Sequence, residues 1–130
     1  MQHVQELPAE PFPIRLIAEL AGDGGTTMAA ALVLDTGAER TVLSGALAET
    51  LSIPLDQSSQ QLTTGLGHPH EAHLGWVTVR VGPITRRLQA WFVKGMEEGL
   101  LGGDFLRTVR LTVDPAARRL VLDAAEPDPH

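Results

Sequence analysis

Asp35, Thr36 and Gly37 put a carboxylate, a hydroxyl and a residue without a side chain in direct succession, at the end of the apolar run Leu32-Val33-Leu34. A carboxylate at the mouth of a buried strand can take a proton from water or give one to a carbonyl oxygen, provided a second carboxylate complements it. Two such groups within hydrogen-bonding distance resist ionising together, so one serves as base while the other serves as acid. Gly37 and Ala38 add no bulk, and a glycine can take positive φ, so another backbone can come within reach of the carboxylate. The tripeptide alone also fits an Asx-type turn that ends a strand. No second Asp-Thr-Gly or Asp-Ser-Gly occurs in the 130 residues, since Asp23 leads into Gly24-Gly25. A carboxylate pair therefore needs two copies of the chain, which twofold symmetry supplies when one patch meets its own copy on the axis.

The other cluster with chemical capacity is His68, His70 and His73 around Glu71. A metal site needs imidazoles that converge. On a strand His68 and His70 share one face while His73 points to the other. The segment His70-Glu71-Ala72-His73 is not the helical zinc motif either, so neither a metal nor a cofactor is expected. The histidines read as exposed loop residues whose protonation near neutral pH can alter the behaviour of that loop. Trp76 and Trp91 read as core or cleft-wall residues.

The elements that must hold these residues are short and mostly extended. A chain of 130 residues with 43% hydrophobic content suits one domain with a modest core. Ile14 to Leu20 and Thr26 to Leu34 form a hairpin across Gly22-Asp23-Gly24-Gly25, delivering Asp35. Thr41 to Ser44 continues extended, and Ala46 to Leu51 is a helix of one or two turns that Pro54 stops. Gln57 to Gln61 is polar linker, and Leu62 to Thr64 is a strand entering the glycine-punctuated loop Gly65-Leu66-Gly67. Ala72 to Val81 alternates with period two, Gly82-Pro83 turns the chain, and Ile84 to Val93 is the next strand. After the charged loop Lys94 to Gly99, the segment Leu100 to Leu106 is apolar and runs into a short helix. Val109 to Val113 and Leu120 to Asp123 close the chain as a hairpin. The expected organisation is a loose arm over residues 1–11, one domain over 12–124 and a frayed tail over 125–130. The fold class is all-β with one or two short helices, as a barrel or a sandwich.

Composition narrows the partners. The net charge is −6, nine of the ten basic residues are Arg, and no stretch concentrates them, so nucleic-acid binding is not expected. The absence of cysteine rules out disulfides and thiol catalysis. Met1 to Glu10 lacks a basic start and an apolar run, unlike a signal peptide, and Met28 to Leu34 is too short to cross a bilayer. A cytoplasmic chain with no membrane segment is the expectation.

Three separated features, in order, resemble the single-domain retropepsin-like aspartic proteases, the family of the retroviral proteases. They are Leu34-Asp35-Thr36-Gly37-Ala38 with Thr41-Val42-Leu43, the hairpin around Gly65-Leu66-Gly67, and Leu100-Leu101-Gly102-Gly103-Asp104-Phe105-Leu106. The resemblance implies a closed barrel working as a symmetric homodimer, an aspartic endopeptidase acting on extended peptide or protein substrates with apolar side chains at the cleaved bond. Asp35 of each chain would be catalytic, Thr36 would brace the two loops across the axis, and Gly37 would receive substrate backbone. Ala38, Glu39, Gly65, Leu66 and Gly67 would contact substrate, the last three at a flap. Leu100, Leu101 and Gly102 would pack behind the active-site loop, with Gly102 permitting a crossing that a Cβ would obstruct. Gly103 stands where retroviral members often carry an Arg that joins an ion pair, and Glu39 replaces a shorter acid. The competing reading is a non-catalytic module that keeps the barrel for dimerisation or peptide binding. A hydrolase built on the histidines ranks behind both.

Overall fold

The computed structural model describes residues 1–63 and 69–125. The elements run β1 (Gln2–Glu6), β2 (Arg15–Ala21), β3 (Thr27–Leu34), β4 (Val42–Ser44), α1 (Gly45–Thr50), β5 (Gln60–Thr63) and β6 (Pro69–Val81), then β7 (Ile84–Val93), β8 (Gly99–Leu101), α2 (Gly103–Leu106), β9 (Arg110–Asp114) and β10 (Arg119–Asp123). The fold is all-β with two short helices.

The larger sheet has the order β2-β3-β8-β4-β7-β6-β5, and a further pairing of β2 with β6 closes it into a barrel with β5 hanging from the far end of β6. Closure follows from the length of β6: its end carries Thr78 to Arg80 opposite Ala21 to Glu19 of β2, while its start carries Pro69 to Ala72 opposite Thr63 to Gln60 of β5. One long strand thus serves the barrel and the β5–β6 hairpin together. Period-two alternation sends Leu16, Ala18 and Leu20 of β2 and Val77, Val79 and Val81 of β6 into the interior, where they meet Leu88, Ala90 and Phe92 of β7. Val42, Ala72 and Val93 form a second, smaller cluster on the other side of the sheet.

The terminal strands form a separate sheet in the order β1-β10-β9, whose Leu120 and Leu122 are buried in the main core. Here the expected loose arm is corrected. Gln2–Glu6 pairs antiparallel with β10, from Gln2 opposite Asp123 to Glu6 opposite Arg119, and Leu7 is buried in the main core. The amino terminus donates to the Ala124 carbonyl at 3.0 Å, and the Ala124 amide donates back to the Met1 carbonyl at 2.9 Å. The polar segment becomes a strand because a distant strand offers its backbone, not because of its own pattern. Likewise Gln60 and Gln61, expected in a linker, pair with Ala72 and Glu71. Gly65, Leu66, Gly67 and His68, and residues 126–130 of the expected tail, lie outside the described residues.

Candidate active site

Two backbone hydrogen bonds to other parts of the chain hold the end of β3. The Leu34 amide donates to the Ile14 carbonyl at 2.8 Å and the Asp35 amide to the Leu101 carbonyl at 3.0 Å, extending the parallel pairing of β3 with β8. The chain then turns on the carboxylate itself: the Gly37 amide donates to Asp35 Oδ1 at 3.0 Å and the Ala38 amide to the Asp35 carbonyl at 3.3 Å. A Cβ on Gly37 would stand 3.3 Å from that same oxygen, so the glycine lets the amide face the carboxylate closely. Asp35 is half-exposed, and Thr36 is exposed.

Helix α2 fixes the return of the loop. The Gly103 amide donates to the Ala38 carbonyl at 2.6 Å and the Asp104 amide to the Glu39 carbonyl at 3.0 Å. Asp104 accepts from the Thr41 amide at 2.9 Å through Oδ2 and from the Thr41 hydroxyl at 2.7 Å through Oδ1. That hydroxyl in turn accepts the Gly102 amide at 3.1 Å. Thr41 is fully buried at 0% exposure, so these bonds satisfy a polar group that water cannot reach. Gly102 passes directly over this strand: a Cβ there would stand 2.6 Å from the Arg40 carbonyl carbon and 2.9 Å from the Thr41 nitrogen. A Cβ on Gly103 would collide with the Arg107 guanidinium, so a cation from one turn further along occupies the space above that glycine.

These elements enclose an open hollow of about 780 Å³. Asp35, Gly37 and Ala38 line it from the loop, and Val42, Leu62, Trp91 and Leu100 give it an apolar wall continuous with the smaller cluster. Glu39, Arg40, Asp104 and Arg107 supply its charges. Of the residues singled out in the sequence, Asp35, Gly37, Ala38, Glu39 and Leu100 line the hollow, while Leu101 and Gly102 are buried behind the loop. Leu100 thus faces the hollow instead of lying behind it. Trp91 is a wall residue as expected, whereas Trp76 is neither core nor wall: it is 46% exposed, further along the outer face of β6. Sequence reasoning missed the Thr41–Asp104 bridge and Arg107. The signal available for the bridge was a threonine opening the apolar run Thr41-Val42-Leu43 and an aspartate following two glycines at a helix start.

The described histidines do not converge. His70 and His73 project to opposite faces of β6, and no group of three His, Asp or Glu side chains is placed to hold a metal among the described residues. His73 instead ties two segments together. Its Nδ1 lies 2.8 Å from the Asp56 carbonyl and its Nε2 lies 3.0 Å from Glu71 Oε1. Both partners only accept, so both ring nitrogens donate only when the imidazole is protonated. The Asp56 carbonyl first, and then Glu71, hold the His73 pKa above its ordinary 6.5. The Asp56 carboxylate accepts the Ser58 amide and hydroxyl, which lower its pKa.

With this loop, hollow and barrel in place, a family model described as "gag-polyprotein putative aspartyl protease" matches residues 25–108, from the β2–β3 turn to just past α2. The chain belongs to the retropepsin-like aspartic protease family. The barrel of this retropepsin-like chain is similar to three solved structures. A retropepsin-like aspartic protease from Rickettsia conorii aligns with a TM-score of 0.65 and 16% identity, over 98% of this chain and 94% of that one. The retroviral protease-like domain of Ddi1 from Leishmania major gives a TM-score of 0.53 and 14% identity over 84% and 88%. EIAV protease, in complex with the inhibitor HBY-793, gives 0.51 and 23% over 72% and 84%. At these identities the structures establish the shared fold. No curated protein sequence matches the chain.

Proposed function

We propose that the chain is an aspartic endopeptidase whose two catalytic carboxylates are the Asp35 side chains of two copies related by a twofold axis. The observation that carries this reading is the placement of Asp35. It is half-exposed at an open hollow, on a loop clamped by β8 and α2, with the Gly37 amide on its Oδ1. Of the other carboxylates lining the hollow, Asp104 is committed to Thr41 and Glu39 is exposed, so an equivalent partner for Asp35 comes from a second copy.

In the proposed reaction the ionised Asp35 takes a proton from a water molecule, which attacks the substrate carbonyl carbon, while the protonated Asp35 donates to the carbonyl oxygen. The tetrahedral intermediate then collapses as a carboxyl proton passes to the leaving amine. Thr36 braces the paired loops, the Val42, Leu62, Trp91 and Leu100 wall receives apolar side chains, and the β5–β6 hairpin covers the substrate. No cofactor takes part.

Digestion of a peptide library by the wild-type chain beside Asp35→Asn tests this directly. Cleavage by the wild type and its loss, by at least about 1,000-fold, in the variant is the expected outcome. Cleavage that survives the substitution defeats the reading, and a folded wild-type dimer that cleaves nothing favours the binding module.

A further inference from the structure

We propose that the outer face of the β6–β7 ribbon continues the cleft and takes the flank of an extended substrate segment bearing acidic side chains. The inference rests on the endopeptidase reading of the hollow, and it names the substrate class that this site would take.

Strand parity builds the face. On β7, Leu88, Ala90 and Phe92 point into the barrel, so Trp91, Gln89 and Arg87 point outward. The antiparallel register sets Leu74, Trp76 and Thr78 of β6 beside them, on the same outward side. At one end Trp91 belongs to the wall of the hollow, and at the other the strip lies open, with Trp76 46% exposed.

Two guanidinium-over-indole pairs occupy this strip. Arg40 donates through Nη1 to the Gln89 carbonyl at 2.6 Å, and its guanidinium carbon lies 5.9 Å from the centre of the Trp91 ring. Arg87 lies 4.6 Å from the centre of the Trp76 ring. A guanidinium over an aromatic face can still turn its planar edge to a carboxylate, through the nitrogens other than Nη1 in Arg40, which Gln89 occupies, and the indole beside it suits the apolar stem of a glutamate. Residues two apart on a strand are spaced about 6.8 Å, the same interval at which an extended peptide presents alternate side chains. A peptide leaving the hollow along the ribbon therefore brings successive same-side residues first to Arg40 and then to Arg87.

Two charges compete with such a carboxylate. Asp23 approaches Arg87 at 3.6 Å, but the side chains are 78% and 52% exposed, so this is a loose pair that a bound carboxylate can displace. Glu39 is exposed at the hollow. The net charge of −6 gives no long-range attraction for an acidic partner, so the preference arises from short-range contacts.

The test measures binding of short labelled peptides to the Asp35→Asn chain and their cleavage by the wild type. The peptides share an apolar core and carry two Glu, or two Gln, at alternate positions on one side or the other. The expected result is binding at least about tenfold tighter for the Glu peptide on one side only, an advantage that falls with salt. Arg40→Gln and Arg87→Gln should each shrink it, Lys at either position should restore part of it, and KM in the wild-type assay should follow the same order. Arg87 is exposed, so its variant keeps the test readable even if Arg40→Gln lowers stability. Equal binding of Glu and Gln peptides, or no binding of either, overturns the inference. So does an advantage that survives both substitutions. Cleavage without a flank preference leaves the endopeptidase reading standing and removes this one, whereas an Arg-dependent Glu preference without cleavage does the reverse.

Discussion

At Thr41 a hydroxyl with no access to water donates to Asp104 and accepts from Gly102, linking the strand after the Asp35 loop to the helix that closes behind it. Thr41→Val keeps the shape and removes both bonds, leaving the Gly102 amide and one Asp104 oxygen without this partner. Unfolding in denaturant should show a loss of about 2 kcal/mol, while Thr41→Ser should lose under about 1 kcal/mol. Combining Thr41→Val with Asp104→Ala should cost clearly less than the sum of the two single changes, because they break one network; strict additivity would show that the bridge carries no coupling. Gly102→Ala is a different case, since its Cβ would press on backbone atoms of Arg40 and Thr41 that the sheet holds in place. A loss of about 3 kcal/mol is expected, and a variant as stable as the wild type would mean that the crossing is looser than the structure shows.

At the foot of the β5–β6 hairpin the Asp56 amide donates to the Leu74 carbonyl at 2.8 Å, and one side chain adds to this hold. His73 on β6 joins the Asp56 carbonyl, ahead of β5, to Glu71 on its own strand. Glu49, Lys94 and Glu97 line a second hollow together with His73, apart from the one at Asp35, and with Glu71 they set the charge environment of the ring. Because its folded pKa lies above 6.5, the contribution of the protonated ring is complete below pH 6.5 and is lost as pH rises through the folded value. Once the intrinsic rise of exchange with pH is divided out, the protection of the Gln60 to Leu62 amides should therefore fall severalfold across that window in the wild type and change little in His73→Gln. An NMR titration placing His73 below 6.5 would contradict the geometry of two acceptors facing one ring.

At the scale of the whole molecule, one chain supplies one Asp-Thr-Gly loop, so the proposed activity belongs to a pair. Adding an equal amount of Asp35→Asn to a fixed amount of wild type, with exchange of subunits, should reduce activity to about half, since mixed pairs lack one carboxylate. Unchanged activity would mean that each chain works alone. The terminal sheet bears on how such a pair forms. Because β1 lies on β10 of its own chain, β1 and β9 are the edges of this sheet among the described residues, open to a strand of a second copy.

Local chemistry made the Asp35 loop legible in the sequence. An apolar run that ends at Asp35, with residues too small to cover it, can do little else than expose a carboxylate at a strand end. The alternation from Ala72 to Val81 is legible for the same reason, since it is enforced by near neighbours along the chain, whereas the Gly102 crossing over Arg40 and Thr41 was expected only from the family resemblance. Tertiary structure alone decided what lies far apart in sequence. It turned the polar segment Gln2–Glu6 into a strand, bridged Thr41 to Asp104 and laid the Arg107 guanidinium over Gly103. It also stacked Arg40 and Arg87 on two tryptophans. Such contacts leave no period and no motif, because their strength comes from closing the barrel, which brings into contact residues whose own preferences do not call for one another.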